Sequence, residues 1–171
     1  MANNRMSRVN SEVQKSLMKI ISRFDDEDIS RFSIKEWISL RKKHIALLWQ
    51  DLRLFPELTS MENVLLKNKL TGFQKKKQIL EWFEELGISD KKDVKIGMMS
   101  YGQQQRVAMI RTLCQPFDFI FVDEPISHLD DVNGEIMGRI VTEEANRQGA
   151  GVIVTSIGKR LEITYDKILK L

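Results

Sequence analysis

The sequence predicts an α/β fold with a parallel, doubly wound sheet. Short apolar runs alternate along the chain with longer segments of helical periodicity, and this alternation is typical of strands joined by helical crossovers. The chain has 171 residues, of which 42% are apolar and 30% are charged. That length allows a sizeable core, so we expect a single domain over residues 1–171.

The predicted strands are short apolar runs bounded by polar residues. The run at residues 44–49 is almost wholly apolar, as expected of a strand that is buried on both faces. In chain order, the predicted strands are a short one at Ile20-Ile21 and Phe24, which leads into the acidic turn Asp25–Asp28, and then His44–Trp49, Phe119–Asp123, Val152–Thr155 and Ile168–Leu171.

The predicted helices carry recognisable start and stop signals. They run from Ser33 to Arg41, from a capping box at Thr59–Glu62, from about Gln74 to Gly87, from Ser100 to Pro116, and from Asp130 or Asp131 to near Gly149. The block between Gln50 and Phe117 is too long for one crossover. We therefore expect about residues 51–116 to form an inserted helical subdomain, and residues 17–50 and 117–171 to form the sheet core.

Composition excludes several classes of protein. The 27 basic and 24 acidic residues nearly balance, and the basic runs Arg41–Lys43 and Lys75–Lys77 lack the interleaved aromatics of a stacking platform, so no nucleic-acid partner is predicted. A single cysteine, Cys114, excludes an internal disulfide and is expected to be buried. No apolar run reaches the ~20 residues of a membrane span. We therefore expect a cytoplasmic chain, or one docked to a membrane from that side.

Two adjacent carboxylates are the first candidate site. Asp123 and Glu124 follow the apolar run Phe119–Val122, so they leave the sheet at the carboxyl end of a strand, which is the usual ligand edge of α/β sheets. Adjacent carboxylates that take different roles require a cation nearby. By themselves, the same residues are equally compatible with an ordinary strand end followed by a helix cap.

The surrounding motifs carry a family resemblance. They are Ser100-Tyr101-Gly102-Gln103-Gln104-Gln105-Arg106, then Asp123-Glu124-Pro125, then Ser127-His128-Leu129-Asp130, with Gln50 upstream at a strand end. In this order and spacing they resemble the signature motif, Walker B strand, D-loop and Q-loop of the ABC-transporter ATPases, and most closely the lipoprotein-release and macrolide-exporter type. The resemblance implies a P-loop NTPase-like core with an inserted helical subdomain, and Mg²⁺ and ATP as cofactors.

The resemblance also implies roles for the residues at the sheet edge. Asp123 would hold Mg²⁺, a hard ion that prefers oxygen ligands. Glu124 would orient or deprotonate the attacking water, and Gln50 would contact both the metal ion and this water. The stretch after Gln50 would meet a membrane subunit.

A second group of residues is implied to act across a dimer. In the family, the signature motif binds the γ-phosphate held by the other subunit of a head-to-tail dimer, which assigns Ser100, Gly102 and Gln103 to nucleotide binding. A helix amino terminus suits this task because its backbone N–H groups and dipole attract anions. Asp130 matches the D-loop aspartate that communicates across the dimer. Tyr101 stands where the family prefers glycine.

Two features depart from the family pattern. The position of the switch histidine is occupied by Ser156, whose hydroxyl can donate a hydrogen bond but cannot carry positive charge. Slower hydrolysis, or a displaced substitute such as Lys159, is expected. The second departure is that the first glycine of the chain is Gly72, so no glycine-rich phosphate-binding loop precedes Gln50.

Two interpretations of this second departure remain open. One is a degenerate loop at Val9–Ser16, in which Lys15 and Ser16 form the Walker pair and Glu12 opposes the phosphates. The other makes residues 20–24 the strand that follows the P-loop helix. That alignment places the loop upstream of Met1 and makes the chain an amino-terminally truncated cassette without its P-loop strand. Residues 167–171 would then lose their neighbouring strand, and either pair elsewhere or be poorly ordered.

The sequence supports one functional reading with an alternative. The first is the ATP-binding and hydrolysing subunit of an ABC transporter, which lies at the inner face of the membrane. Its expected partners are a permease subunit and, in a head-to-tail dimer, a second copy or another ABC ATPase; this chain alone is expected to be inactive. The alternative is a non-catalytic pseudo-ATPase or regulatory subunit that lends its signature motif to an intact partner. A chromosome-maintenance or repair ATPase is disfavoured because residues 50–117 lack sustained heptads.

Overall fold

The computed structural model describes residues 23–24, 27–28, 31–125, 130–156 and 161–169. The chain divides into two compact units, residues 1–39 and residues 40–171. Each unit is described by itself.

The first unit contains a small antiparallel pair of strands. Strand β1 (Arg23–Phe24) pairs with β2 (Glu27–Asp28). The predicted strand at Phe24 is confirmed for residues 23 and 24, whereas Ile20 and Ile21 lie outside the described residues. Glu27 and Asp28, predicted as part of an acidic turn, are instead a strand, because their backbone pairs with Phe24 and Arg23.

Helix α1 (Ile34–Lys43) begins in this unit and follows a capped start. The backbone N–H of Ser33 donates to a Glu36 carboxylate oxygen at 2.6 Å, and the Ser33 hydroxyl accepts from the Glu36 N–H at 3.4 Å. This reciprocal pair satisfies donors that the first helical turn leaves unpaired. The helix extends two residues beyond the predicted end at Arg41.

A three-stranded parallel sheet forms the centre of the second unit. It consists of β3 (Ile45–Leu48), β4 (Phe119–Asp123) and β5 (Gly151–Thr155), in the spatial order β3-β4-β5. Leu48 lies beside Val122, and Val122 lies beside Val154. The prediction of a parallel sheet is confirmed.

Four α-helices lie between β3 and β5 in the described part of the chain. They are α2 (Ser60–Thr71), α3 (Lys76–Glu85), α4 (Tyr101–Leu113) and α5 (Asp131–Gln148). Both predicted capping boxes, at Thr59 and at Ser100, are present. Asp130 rather than Asp131 caps α5, and Gly149 ends it with φ +67°. Local signals therefore located these helix ends correctly, because capping satisfies backbone groups within one turn.

Helix α4 lies at the centre of the core. It contacts α2, α3, α5 and β3, and Val107, Ala108, Met109 and Ile110 are fully buried on it. Cys114 follows the helix, and burial raises the pKa of its thiol to about 12. The thiol therefore stays protonated and unreactive at neutral pH, which confirms the prediction of a buried cysteine.

The segment after β5 packs on α5 without forming a strand. Leu161 is buried, and Gly138 of α5 allows close approach, since a Cβ there would lie 2.8 Å from the carbonyl oxygen of Glu162. The predicted strand Ile168–Leu171 is wrong for Ile168 and Leu169, which are exposed and belong to no strand. Residues 170 and 171 lie outside the described residues, and residues 167–169 do not pair elsewhere. The segment is apolar, but no described strand pairs with it, and apolar character alone is not enough to make a strand.

Within the described ranges, no helix has the length and apolar character needed to cross a membrane.

Candidate functional site

The carboxyl ends of the three parallel strands lie at one edge of the sheet. Gln50 follows β3 by two residues, Asp123 ends β4, and Thr155 ends β5 directly beside Asp123. Neighbouring strands are about 4.8 Å apart. The fold therefore places the predicted residues Asp123, Glu124 and Ser156 at one edge of the sheet. Gln50 lies at the same edge.

The Asp123 carboxylate is exposed and held on one side. Its Oδ1 accepts a hydrogen bond from the Thr155 hydroxyl at 2.5 Å. Its other oxygen has no hydrogen bond within the described residues, so it can serve as an oxygen ligand for a hard cation. Among those residues, no group of three or more acidic, histidine or cysteine side chains is placed to hold a metal ion. This donor set fits Mg²⁺ only in its usual protein form, with one or two carboxylates and the remaining ligands from water and phosphate.

Glu124 adopts a backbone conformation that is rare for its residue type. Its φ is +48°, in the left-handed region that mainly glycine visits. Two hydrogen bonds hold this residue: its N–H donates to the Thr155 carbonyl at 3.0 Å, and its carbonyl accepts from Gln105 Nε2 at 3.2 Å. A strand and a helix thus fix the backbone of Glu124 from both sides, and strain of this kind is typical of functional sites.

Gln105 is unusual in its own right. Only 2% of this α4 residue is exposed. Its Oε1 is the one buried side-chain oxygen or nitrogen atom that lacks a hydrogen-bond partner in the described part of the chain. Buried polar groups are nearly always paired, so the amide is retained at a cost. The hydrogen bond from Nε2 to the Glu124 carbonyl offsets part of this cost.

The start of α4 combines a cap with exposed polar groups. The Ser100 hydroxyl accepts from the Gln103 N–H at 3.4 Å, and Gln103 Oε1 accepts from the Ser100 N–H at 3.1 Å. The hydroxyl can still donate its own hydrogen. Ser100 is exposed and Gly102 is half-buried. This helix terminus can therefore present N–H groups, a hydroxyl and a positive dipole end to an anion.

A chain of hydrogen bonds connects this helix to Asp130. Arg106 donates through Nε to the Gly102 carbonyl at 3.2 Å and through one guanidinium nitrogen to Asn133 Oδ1 at 2.9 Å. Asn133 Nδ2 donates to the two Asp130 carboxylate oxygens at 2.9 and 2.8 Å. Hydrogen bonds from the Asn133 backbone and side chain lower the pKa of Asp130 below its ordinary value. Asp130 is therefore a charged cap near neutral pH, linked to α4 through Asn133.

Tyr101 links the start of α4 to Gln50. Its hydroxyl donates to the Gln50 carbonyl at 2.5 Å. Burial, followed by the charge of Asp51, raises the pKa of this phenol, so it remains protonated and able to donate. The Gln50 side chain itself is exposed at the sheet edge.

Several predicted positions lie outside this account. Lys15, Ser16 and the stretch Ser127–Leu129 lie outside the described residues. Ser156 is half-buried directly after β5.

Sequence reasoning missed three side chains that contact the predicted residues: Thr155, Gln105 and the Tyr101 hydroxyl. Gln105 had a usable signal, because it shares a helical face with the buried residues Met109 and Thr112. Thr155 ends a strand whose register beside β4 the sequence did not specify.

Comparison with known proteins decides the family. Residues 11–127 match the family model described as ABC transporter, which is more than half of the chain. The chain belongs to the ABC transporter family. The ABC match covers β4 and the motif at Ser100–Arg106, and it extends to within three residues of Asp130.

Curated relatives and a solved structure agree with this family. The chain is 34% identical over 128 residues to the lipoprotein-releasing system ATP-binding protein LolD of Leptospira interrogans, which covers 74% of this chain and 54% of the relative. It is 29% identical over 150 residues to the macrolide export ATP-binding/permease protein MacB of Shewanella sp. ANA-3, which covers 86% of this chain and 23% of the relative. The chain thus spans about half of the LolD relative and about a quarter of MacB.

The ATP-binding cassette MJ0796, solved as a dimer in a post-hydrolysis state with ADP and Pi, superimposes with a TM-score of 0.66 at 26% identity. The match covers 77% of this chain and 60% of the cassette. It confirms the predicted P-loop NTPase-like α/β fold.

Proposed function

We propose that this chain provides the ATP-binding and hydrolysing part of an ABC transporter, with residues 1–171 as one ABC ATPase-like domain. The sheet core would be formed by residues 17–50 and 117–171, and the helical subdomain by about residues 51–116. The observation that carries the proposal is the geometry at the end of β4. There an exposed Asp123 carboxylate is oriented by Thr155, and the backbone of Glu124 is held by Thr155 and Gln105.

The residues at this edge have distinct proposed roles. When bound, Mg-ATP supplies the phosphoanhydride bond that water cleaves. Asp123 would bind the metal ion, and Gln50 would offer its amide oxygen to the same ion and to the attacking water. Glu124 would orient this water and accept its proton. Ser156, in the place of the family's switch histidine, would donate a neutral hydrogen bond.

The start of α4 supports a composite site. Ser100, Gly102 and Gln103 form a helix terminus suited to an anion, and Asp130 is linked to it through Arg106 and Asn133. We propose that this surface reaches the nucleotide of a second ABC ATPase, either another copy of this chain or a different one, in a head-to-tail dimer. The dimeric MJ0796 cassette supports this arrangement.

A groove in the second unit supports a membrane subunit as partner. It has a volume of about 340 Å³ and lies between β3, α2 and α4. Its described lining includes four cationic and six apolar side chains: Arg41, Arg53, Lys67, Arg111, Ile45, Leu47, Trp49, Phe55, Leu66 and Leu70. None of the described residues that line it is acidic. Burial lowers the pKa of Lys67, with Arg111 adding to this effect, so a bound carboxylate would stabilise the ammonium.

We propose that an amphipathic segment of the permease, apolar on one face and acidic at its flanks, occupies this groove. The chain would then lie at the inner face of the membrane as a peripheral subunit. The name of the MacB relative, an ATP-binding/permease protein, supports a permease as the partner.

The phosphate-binding loop distinguishes the two functional candidates. The first glycine is Gly72, so residues before Gln50 cannot wrap phosphates as a glycine-rich loop does. Binding of Mg-ATP by this chain alone is therefore proposed to be weak, unless Lys15 and Ser16 act as a degenerate pair. Ser156 favours the alternative, in which a pseudo-ATPase lends Ser100–Gln103 to an intact partner.

Calorimetry and NMR with the full 171-residue chain test these proposals. We expect Mg-ATP to bind more weakly than about 100 μM, which corresponds to roughly 5–6 kcal/mol. At millimolar MnATP, the amide signals of residues 123, 124 and 155 should broaden, and Asp123→Asn should abolish this broadening. Asp118→Asn, at the opposite end of β4, is the matched control.

Each outcome decides between the alternatives. Broadening elsewhere, or none that depends on Asp123, would refute the metal site. Binding tighter than about 100 μM that is lost in Lys15→Ala would establish the degenerate loop. MnATP hydrolysis that is lost in Glu124→Gln would exclude the pseudo-ATPase.

A further inference from the structure

The loop after β3 is strained at two consecutive positions. Leu52 has φ +54° and Arg53 has φ +49°, both in the left-handed region that residues with side chains rarely adopt. Such conformations persist only where surrounding contacts over-determine them. This loop directly follows Gln50. Trp49 and Arg53 also line the groove between β3, α2 and α4.

Two residues of α4 supply the contacts that hold this loop. Arg111 donates one guanidinium nitrogen to the Leu52 carbonyl at 2.6 Å and another to the Arg53 carbonyl at 2.7 Å. Tyr101 donates its hydroxyl to the Gln50 carbonyl at 2.5 Å. The loop is therefore held from the first turn and from the last turn of the same helix.

The loop also packs on itself in this conformation. The Arg53 guanidinium lies 3.9 Å from the centre of the Trp49 ring and pairs with Asp51 at 3.2 Å. A cation over an indole face is a favourable contact. Trp49 therefore reports on the conformation of the loop, since any rearrangement of Arg53 changes the surroundings of its ring.

The Tyr101 contact depends on the phenol hydroxyl. The tyrosine is only partly buried, at 37% exposed, so this contact and not core packing fixes the position of its ring. Its hydroxyl connects the start of α4, where the anion site is proposed, to Gln50, which belongs to the proposed metal site.

We infer that Tyr101 is a positioning residue that ties Gln50 and the strained loop to the first turn of α4. Arg111 holds the other side of the loop. The functional consequence of this contact rests on the proposed function. A ligand that shifts the start of α4 also shifts Gln50 and the wall of the groove. By reciprocity, an occupant of the groove changes affinity at the start of α4.

The change Tyr101→Phe removes only the hydroxyl. We expect amide exchange at Leu52, whose N–H donates to the Trp49 carbonyl at 3.0 Å, to accelerate about fivefold, as for the loss of one neutral hydrogen bond. In a chain labelled with 5-fluorotryptophan, the ¹⁹F signal of Trp49 should shift, while those of Trp37 and Trp82 should not. The urea midpoint should fall only by the amount that corresponds to this one hydrogen bond.

Tyr165→Phe is a matched control. Its hydroxyl also donates to a backbone carbonyl, that of Leu161, at 2.8 Å, and its loss should leave the Trp49 signal and Leu52 exchange unaltered. Arg111→Lys keeps the charge but loses the two-pronged contact, and should accelerate Leu52 exchange more than Tyr101→Phe does.

Either of two results would overturn the inference. One is an unchanged Trp49 signal and Leu52 exchange in Tyr101→Phe. The other is a lower urea midpoint with an unchanged Trp49 signal, which would mean a role in global stability alone. The measurements use no nucleotide and no membrane partner, so a failure of the proposed ATP-binding function would leave their outcome readable.

Discussion

Replacing Gln105 by methionine tests how α4 holds Glu124. The change removes one hydrogen bond, from Nε2 to the Glu124 carbonyl, and one buried acceptor without a partner in the described chain. A neutral hydrogen bond contributes about 0.5–1.5 kcal/mol, whereas an unpaired buried polar group costs about 1–3 kcal/mol. Methionine has nearly the same shape, so packing changes little. We therefore expect Gln105→Met to be about 1 kcal/mol more stable than the wild-type chain.

Urea unfolding followed by circular dichroism measures this difference. Gln105→Ala is the matched variant, because it loses the same polar groups and also leaves a cavity; it should be about 2–4 kcal/mol less stable than Gln105→Met. The Glu124 carbonyl carbon should change its ¹³C shift in both variants, since its hydrogen bond is lost. A loss of more than about 1.5 kcal/mol in Gln105→Met would refute the reasoning, because it would mean that Oε1 has a donor.

Two further predictions concern charge. Since hydrogen bonds depress the folded-state pKa of Asp130, its contribution to stability is present above the unfolded-state pKa and is lost as the pH falls through the folded-state pKa. Asp130→Asn keeps a cap without titrating, so it should flatten the acid limb of the curve of stability against pH; an unchanged limb contradicts this. For the groove, an amphipathic leucine–glutamate peptide should bind at least about tenfold tighter than its leucine–lysine counterpart, as measured by the ¹⁹F signal of Trp49. Lys67→Glu should weaken this preference, because three arginines still line the groove, while Lys69→Glu, on the exposed face of the same helix, should leave it unchanged. Equal affinities of the wild-type chain for the two peptides would exclude an acidic occupant.

The sequence alone determined most of the helix ends, the three strands of the parallel sheet and the location of the candidate site. The capping boxes at Thr59 and Ser100 and the cap at Asp130 were predictable, because each involves residues within one helical turn. The short apolar run before Asp123 and Glu124 predicted that these residues lie at the ligand edge of the sheet. The strand predicted from Ile168 failed because an apolar run specifies burial, whereas a strand also needs a neighbour with which to pair.

Only the tertiary structure decided what surrounds these residues. Thr155 on Asp123, Gln105 on Glu124, and Tyr101 on Gln50 are contacts between segments 19 to 51 residues apart. Each depends on how α4 packs against the sheet and on the register of β4 with β5, which follow from the summed burial of the core. Local sequence signals act within a few residues. The contacts that hold Glu124 and Gln50 arise only when distant segments are packed together.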